Sequence, residues 1–213
     1  YLNAYEFYHY YMGSKYAREI GYTNLYNASL AADEETGLKY SNSTRAIRNL
    51  DGGGYRPVDG VLQEKAKYRA LFSEARWQEW LQDIRWFKKE LSTGRWNGIL
   101  RDKGYNASPV WSMLVGGIFT NQISTDNARG MQFLALLDLF LIGVAFLCVC
   151  WAFSPRAGLL MLVLLGTHYM MHFSHMKGAL LRTDFAMSLV IAVCMVKRER
   201  YATAGALVAY SSL

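Results

Sequence analysis

The sequence is poor in the residues that several common classes of protein need. It has three cysteines, Cys148, Cys150 and Cys194, and all of them lie within apolar runs. A disulfide framework or a thiolate metal site is therefore not indicated, and the three are interpreted as small apolar packing residues. No segment has a convincing pattern of strands, so the sequence predicts an all-α protein.

The chain also lacks a concentrated patch of positive charge. Seventeen of the 23 Lys and Arg and 14 of the 17 Asp and Glu precede Met131, so residues 1–130 and residues 131–213 each carry a net charge of +3. A protein that neutralises a phosphate backbone needs a basic stripe. We therefore predict no nucleic acid partner.

Acidic residues are scarce after residue 131, where only Asp138, Asp184 and Glu199 occur. The near-zero mean hydropathy of the whole chain therefore conceals two unlike parts. Residues 1–130 are predicted to form a water-facing, helical loop domain, and residues 131–213 a polytopic bundle of transmembrane helices. Such a chain works at a membrane surface, and we expect the sequence to be an excerpt of a longer protein.

Four apolar runs predict the membrane-spanning helices. They cover residues 131–153, 157–176, 178–196 and 201–213, the last of which is cut short. About 20 apolar residues, rising about 1.5 Å each, cross a hydrocarbon layer of about 30 Å. The third run needs residues 178–181 to reach that length. A bundle of soluble helices is the alternative interpretation of these runs.

Basic residues at two of the breaks between these runs predict the orientation, because positive residues concentrate in short cytoplasmic loops. Two crossings separate Arg156 from the cluster Lys197, Arg198 and Arg200, so both breaks should lie on the cytoplasmic side. The loop domain and the break before Asp184 should then lie on the extracytoplasmic side. Membrane lipid is thus the first predicted partner.

Local signals divide the loop domain into helices. Predicted helices cover residues 1–20, 24–35 and 73–94, and a further helix begins at Pro109. Ser108 followed by proline is typical of a helix start. Trp77 and Trp80 share the apolar stripe of the 73–94 helix, which faces either a protein core or the lipid headgroups. The glycine-rich stretch 41–60 is interpreted as a loop.

An acid, a histidine and a lysine stand among tyrosines near the start of the chain, at Glu6, His9 and Lys15. Tyrosine rings pack against sugar faces and carboxylates accept hydrogen bonds from hydroxyls, so this segment is a candidate sugar-binding surface. In the alternative interpretation Glu6 and Lys15 are solvated helix charges and the tyrosines form a core.

The same segment carries a family resemblance. The stretch EFYHYYMGSKY at residues 6–16 resembles the first extracytoplasmic loop of a group of large polytopic bacterial membrane proteins, which look related to the glycosyltransferase-C superfamily. The resemblance continues through DKGYNASPVW at 102–111 and LRTDF at 181–185. It implies a multi-pass protein of the bacterial inner membrane, with the loop domain outside, that transfers a sugar from a polyprenyl-phosphate donor to an extracytoplasmic acceptor. An acid after the first membrane helix is the catalytic base of that superfamily, and by position this role falls on Glu6.

Further candidate residues lie in the two parts of the chain. Asp33 is a candidate for metal or acceptor contact, or else belongs to a solvated helix end. Arg182 could hold the donor phosphate bidentately and Asp184 could orient it, unless the two mark the membrane boundary as a local pair. Lys177 could add to that anion site. No metal ligands are assigned, and the sequence names no cofactor.

The sequence is also compatible with two other functions. Asp138 lies within an apolar helix, where ionisable groups usually face a cavity or a partner, and His168, His172 and His175 share one helical face. Together they favour a transporter or channel subunit whose proton or ion path they line. A non-catalytic membrane scaffold with an aromatic binding loop is the third hypothesis.

Overall fold

The structure is a computed structural model that describes residues 2–41, 45–104, 106–167 and 177–212. It is mostly helical, as predicted. The chain divides into two compact units. We call Phe7–Met131 the aromatic unit, and Tyr1–Glu6 together with Gln132–Leu213 the apolar unit.

The helices and strands follow one another in a simple order. In chain order they are α1 Ala4–Lys15, α2 Ala17–Ile20, α3 Leu25–Glu35, β1 Ala46–Arg48, β2 Tyr55–Pro57, α4 Val58–Gln63, α5 Lys65–Arg69, α6 Glu74–Glu90, α7 Thr93–Ile99, α8 Pro109–Val115, a π-helix Gly116–Thr120, α9 Ala128–Ala152, α10 Pro155–Thr167, α11 Asp184–Lys197 and α12 Tyr201–Ser212.

A short antiparallel hairpin is the exception to the all-helical prediction. Strands β1 and β2 pair with Ile47 opposite Arg56, inside the stretch interpreted as a loop. Gly52, Gly53 and Gly54 between the strands have φ values of 88°, 79° and 75°, a conformation that glycine adopts without steric cost. Strands of three residues are too short to leave an alternating pattern in the sequence, which is why the prediction missed them.

Helix α6 supplies the core of the aromatic unit. Its N-cap is Ser73, whose hydroxyl accepts from the backbone N–H of Arg76, so the predicted start is confirmed. Trp77 and Trp80 are 2% and 0% exposed. These two rings therefore belong to a protein core, which settles the choice between core and headgroups. The predicted end of this helix at residue 94 was wrong, because α6 ends at Glu90 and a separate helix, α7, begins at Thr93.

The predicted helix start at Ser108 is also confirmed. The Ser108 hydroxyl accepts from the backbone N–H of Trp111 at 3.0 Å, and Pro109 is the first helical residue. The helix continues as a π-helix from Gly116. A Cβ atom at Gly116 would lie 2.3 Å from the carbonyl oxygen of Ser14, so glycine is needed where α1 and the π-helix approach each other.

Helix α9 is the one helix, among the described residues, that is long and apolar enough to cross a membrane. Helix α10 is shorter, and residues 168–176 of the predicted second span lie outside the described residues. The predicted third span, 178–196, was wrong as a continuous helix. Residues 178–183 form a turn, with Gly178 and Leu181 at φ values of 70° and 45°, and α11 begins only at Asp184.

The two basic breaks lie at the same end of the apolar helices. The guanidinium of Arg198, just after α11, stacks 4.7 Å from the ring centroid of Trp151 near the end of α9 and donates to the Trp151 carbonyl. Val149, Ala152 and Cys194 pack together beside this contact. The two membrane crossings between the breaks, and the side of a membrane that the breaks face, stay predictions.

Candidate functional site

Within the apolar unit, the turn 177–183 contacts the first residues of the chain. The Arg182 guanidinium forms an ion pair with the Glu6 carboxylate, and the backbone N–H of Asn3 donates to the carbonyl of Gly178 at 3.0 Å. The side chains of Glu6 and Arg182 are 25% and 32% exposed. Two residues that the sequence singled out separately are thus in contact, and both keep a solvent-accessible face.

The carboxylate of Asp138, on α9, forms hydrogen bonds to the same turn. Its carboxylate accepts from the backbone N–H of Arg182 at 3.1 Å, from the backbone N–H of Thr183 at 2.8 Å and from the Thr183 hydroxyl at 2.6 Å. Asp138 is 5% exposed. The partner expected for this acid within an apolar helix is therefore the turn itself, and the bonds fix the backbone that carries Arg182.

Asp184 is the first residue of α11 and joins it to α12. Its carboxylate accepts from the backbone N–H of Phe185 at 2.7 Å and from the hydroxyl of Tyr210. Negative charge is favourable at a helix N-terminus. Asp184 is buried, whereas Lys177 at the start of the turn is exposed. These contacts give Asp184 a structural role, and its predicted part in orienting a donor stays a prediction.

The apolar unit therefore presents an accessible pair of opposite charges, Glu6 and Arg182, on a turn whose backbone is hydrogen-bonded to Asp138. A guanidinium recognises phosphate oxygens through paired N–H donors, and a carboxylate can accept a proton from a hydroxyl. Asp138 and Asp184 are buried and hydrogen-bonded, so a ligand at this turn could reach Glu6, Arg182 and the exposed Lys177.

His9 belongs to the aromatic unit and is 4% exposed. Its Nε2 lies 2.9 Å from the hydroxyl of Tyr26 and 3.9 Å from the carboxylate of Asp102. The Tyr26 hydroxyl also accepts from the backbone N–H of Gly104 at 2.9 Å. This bonded, buried environment favours a structural histidine. Its predicted donor or acceptor contact stays a prediction.

Lys15 is 3% exposed and forms a buried ion pair with Asp83, with 2.8 Å between nitrogen and oxygen. The Asp83 carboxylate also accepts from the hydroxyls of Tyr16 at 2.7 Å and Thr125 at 2.8 Å. Burial, followed by the charge of Asp83, raises the pKa of the Tyr16 phenol well above its ordinary value, so this group stays a donor. Lys15 is therefore not the solvated charge of the alternative interpretation.

Asp33 is 0% exposed and stands at the centre of a second buried cluster. Lys88 forms an ion pair with it at 2.6 Å, and the Trp96 indole donates to it at 3.0 Å. The backbone N–H groups of Lys39 and Tyr40 donate to it at 3.0 and 2.9 Å. The idea of a solvated helix end was wrong for Asp33. These contacts argue for a structural role, and metal or acceptor binding by Asp33 stays a prediction.

The sequence interpretation singled out Lys15 and Asp33 but missed the buried residues that pair with them. Asp83 and Lys88 lie on α6 at helical spacing from its buried apolar residues, Asp83 three residues after Trp80 and Lys88 four after Ile84. A charged residue at core-face spacing was the available signal.

Metal chemistry gains no support from the part of the chain that the structure describes. No group of three or more His, Cys, Asp or Glu that could hold a metal ion occurs there. His168, His172 and His175 lie outside the described residues. Comparison with known proteins adds no assignment: no family model, curated protein or solved structure matches the chain.

Proposed function

We propose that the chain is part of an integral-membrane glycosyltransferase-like enzyme, which moves a sugar from a polyprenyl-phosphate donor to an extracytoplasmic acceptor. The observation that carries the proposal is the partly exposed Glu6–Arg182 pair. It combines an anion-binding group and a proton acceptor, and the turn that carries Arg182 is bonded to an acid within an apolar helix.

The pair supplies both functions that the reaction needs. The acceptor hydroxyl oxygen attacks the anomeric carbon of the donor, while the bond from that carbon to the phosphate oxygen breaks. The leaving phosphate keeps the electron pair, and Arg182 neutralises its charge. Glu6 takes the proton of the hydroxyl. In the resting protein Arg182 is the counterion of Glu6, so an incoming phosphate releases the carboxylate for its role as base.

Exposed apolar side chains support the placement in a membrane. Large hydrophobic residues on all of the apolar helices are uncovered; Phe140, Leu147, Leu164 and Val193 are 68%, 65%, 60% and 60% exposed. Many large apolar side chains exposed on the same helices indicate a lipid or protein contact. We propose a multi-pass protein of the bacterial inner membrane, with residues 1–130 outside. Transport through Asp138 gains no support, because donors from residues 182 and 183 occupy its carboxylate.

Cysteine labelling tests this orientation. In a chain whose native cysteines are replaced by serine, we expect Lys177→Cys to react with a membrane-impermeant maleimide in intact cells and Arg200→Cys to react only after permeabilisation. Both positions are exposed, so accessibility depends on the side of the membrane alone. The reverse pattern, or equal labelling of both positions in intact cells, would contradict the proposed orientation.

Lipid-phosphate binding tests the role of Arg182. With the full chain in nanodiscs, we expect Arg182→Gln to weaken binding of undecaprenyl phosphate by about tenfold or more, since a hydrogen bond to a charged group contributes about 1.5–3 kcal/mol. Native mass spectrometry measures the bound fraction, and undecaprenol, which lacks the phosphate, is the ligand control.

Arg198→Gln is the matched control variant, because Arg198 lies at the other end of α11. It should bind like the unmodified chain. Equal loss in both variants would indicate general attraction between basic residues and the phosphate. Unchanged binding by Arg182→Gln would rule out the proposed phosphate site.

A further inference from the structure

The segment Pro109–Thr120, made of α8 and the π-helix, is apolar on more than one side. It contains no charged residue and is one of the shorter apolar helices of the chain. One side packs into the aromatic unit, where Trp111, Val115 and Thr120 are buried. A helix that is apolar all round is normally covered on all sides, by a protein core or by lipid. The other side of this segment therefore also needs a cover.

That other side is exposed in the structure. Met113, Leu114 and Ile118 are 69%, 45% and 58% exposed, and Gly117 is exposed as well. The three- and four-residue spacing of these positions puts them on one side of the helix. A Cβ atom at Gly117 would meet no atom within 4 Å, so no described residue covers this point. We call these four residues the apolar face of α8.

The aromatic unit contains the point at which the chain enters the membrane, if α9 crosses it as proposed. Residues 121–127 join the π-helix to α9. The hydroxyl of Tyr11 donates to the carbonyl of Ile123 at 2.6 Å, and a Cβ atom at Gly130 would lie 2.6 Å from the Ile123 side chain. This connection therefore packs against the first turn of α9. A segment of its length spans no more than about 30 Å, so the apolar face lies within reach of the bilayer surface.

An exposed cation lies beside the apolar face. Arg18 of α2 lines the same cleft as Met113, and it forms no ion pair with any residue that the structure describes. The cleft's other charged residues form ion pairs within the aromatic unit; they are Lys15, Glu19 and Arg76. A cation next to an apolar helix face is typical of helices that lie on phospholipid, because the lipid offers a negative phosphate above apolar chains.

We propose that the apolar face of α8 inserts into the outer leaflet of the membrane, at the boundary between headgroups and acyl chains, with Arg18 against a lipid phosphate. Phospholipid fits this face better than a protein partner does. A specific protein interface carries regular hydrogen bonds, and the four residues of the face have no side chain that donates or accepts one. The face is thus an exception to the prediction that residues 1–130 face water. The inference rests on the proposed membrane crossing of α9 and is independent of the transfer reaction.

Depth-dependent fluorescence quenching tests the insertion. The native cysteines of the full chain are replaced by serine, and the fluorophore NBD is attached at Met113→Cys or at Ile118→Cys. The labelled chain is placed in nanodiscs of phosphatidylethanolamine and phosphatidylglycerol that contain a nitroxide lipid. An interfacial helix lies about 5–10 Å into the boundary between headgroups and acyl chains, so a nitroxide high on the acyl chain should quench both labels at least about twofold more than one near the chain end. Iodide in the water should quench them weakly.

Two other positions serve as controls. Leu38, also in the aromatic unit, is 52% exposed, and a label at Leu38→Cys should be quenched by iodide and by neither nitroxide lipid. Phe140, at the middle of α9, is 68% exposed, and a label at Phe140→Cys should be quenched more by the nitroxide near the chain end. Absence of lipid quenching at Phe140 would overturn the membrane crossing and the inference together.

Three other results overturn the inference alone while the Phe140 label still reports lipid. Quenching of the Met113 and Ile118 labels by iodide and not by lipid would show that the face points into water. Protection from both quenchers would show that a protein surface, such as a second copy of the chain, covers it. Lipid quenching of equal strength at Leu38 would show that the fluorophore seeks lipid from any exposed position.

The phosphate contact has a test of its own. Arg18→Glu places a negative charge where the phosphate is expected, so quenching of the Met113 label by the nitroxide high on the acyl chain should fall by about twofold or more. Arg85→Glu is the matched control, because Arg85 is exposed on α6 and lies outside the cleft. It should leave the quenching unchanged. Equal quenching in the two variants would overturn the role assigned to Arg18.

Discussion

Replacing Glu6 by glutamine is expected to lower the rate of sugar transfer by about 10²–10⁴-fold, which is the contribution of a positioned general base. Glutamine keeps the shape of the side chain and can still accept from Arg182, but it cannot take the proton of an acceptor hydroxyl. The assay follows radiolabel from polyprenyl-phosphate mannose and polyprenyl-phosphate glucose into product, using membranes that contain the full chain.

Measuring kcat and KM separately shows whether Glu6 acts as a base or has a structural role. Loss of a proton acceptor lowers kcat and leaves KM for the donor nearly unchanged, whereas Arg182→Gln should raise KM for the donor as well. Glu74→Gln is the matched control, because Glu74 lies on the exposed start of α6 with a side chain that is 72% exposed. Equal activity in the Glu6 and Glu74 variants, or no turnover of either donor by the unmodified chain, would refute the proposed reaction.

Replacing Asp33 by asparagine should lower the free energy of unfolding by about 3–5 kcal/mol, the usual effect of removing one partner from a buried ion pair. The change leaves Lys88, whose side chain is 10% exposed, without its carboxylate. It also weakens the bonds from Trp96 and from the backbone of Lys39 and Tyr40. Urea titration of the full chain in detergent, followed by tryptophan fluorescence, measures the loss.

An exposed ion pair provides the comparison. Asp59 pairs with Arg45, but their side chains are 66% and 67% exposed, so Asp59→Asn should change the free energy of unfolding by less than about 1 kcal/mol. Adding Lys88→Met to Asp33→Asn removes the buried positive charge that has lost its counterion, so it should recover part of the lost free energy of unfolding. A loss below about 1 kcal/mol for Asp33→Asn would show that the cluster is not a stabilising element.

Local signals in the sequence located helix starts well and turns poorly. Ser73 and Ser108 predict the starts of helices α6 and α8, because an N-cap side chain bonds to a backbone N–H only three residues later in the sequence. The turn before α11 has no such signal. Leu181 takes a positive φ and the helix starts late because the backbone N–H groups of residues 182 and 183 bond to Asp138, which lies far away in the sequence.

The candidate site was predictable in its parts and not in its arrangement. Glu6 and Arg182 were each singled out from a resemblance and from residue chemistry, but pairing between distant residues leaves no mark in one sequence. The buried lysines show the opposite case. Lys15 and Lys88 look like surface charges by residue type, and only the positions of Asp83 and Asp33 in the folded chain explain their burial.

The bonds between Asp138 and the turn at residues 182–183 impose an order on assembly, if α9 crosses a bilayer as proposed. During synthesis, α9 reaches the lipid before those residues have been made. A carboxylate in hydrocarbon without a donor is unfavourable, and the arriving turn supplies three donors at once. The carboxylate of Asp138 in α9 therefore gains its hydrogen bond donors only when α11 inserts. A chain stopped between the two helices retains an unsatisfied acid and is expected to be degraded rather than kept.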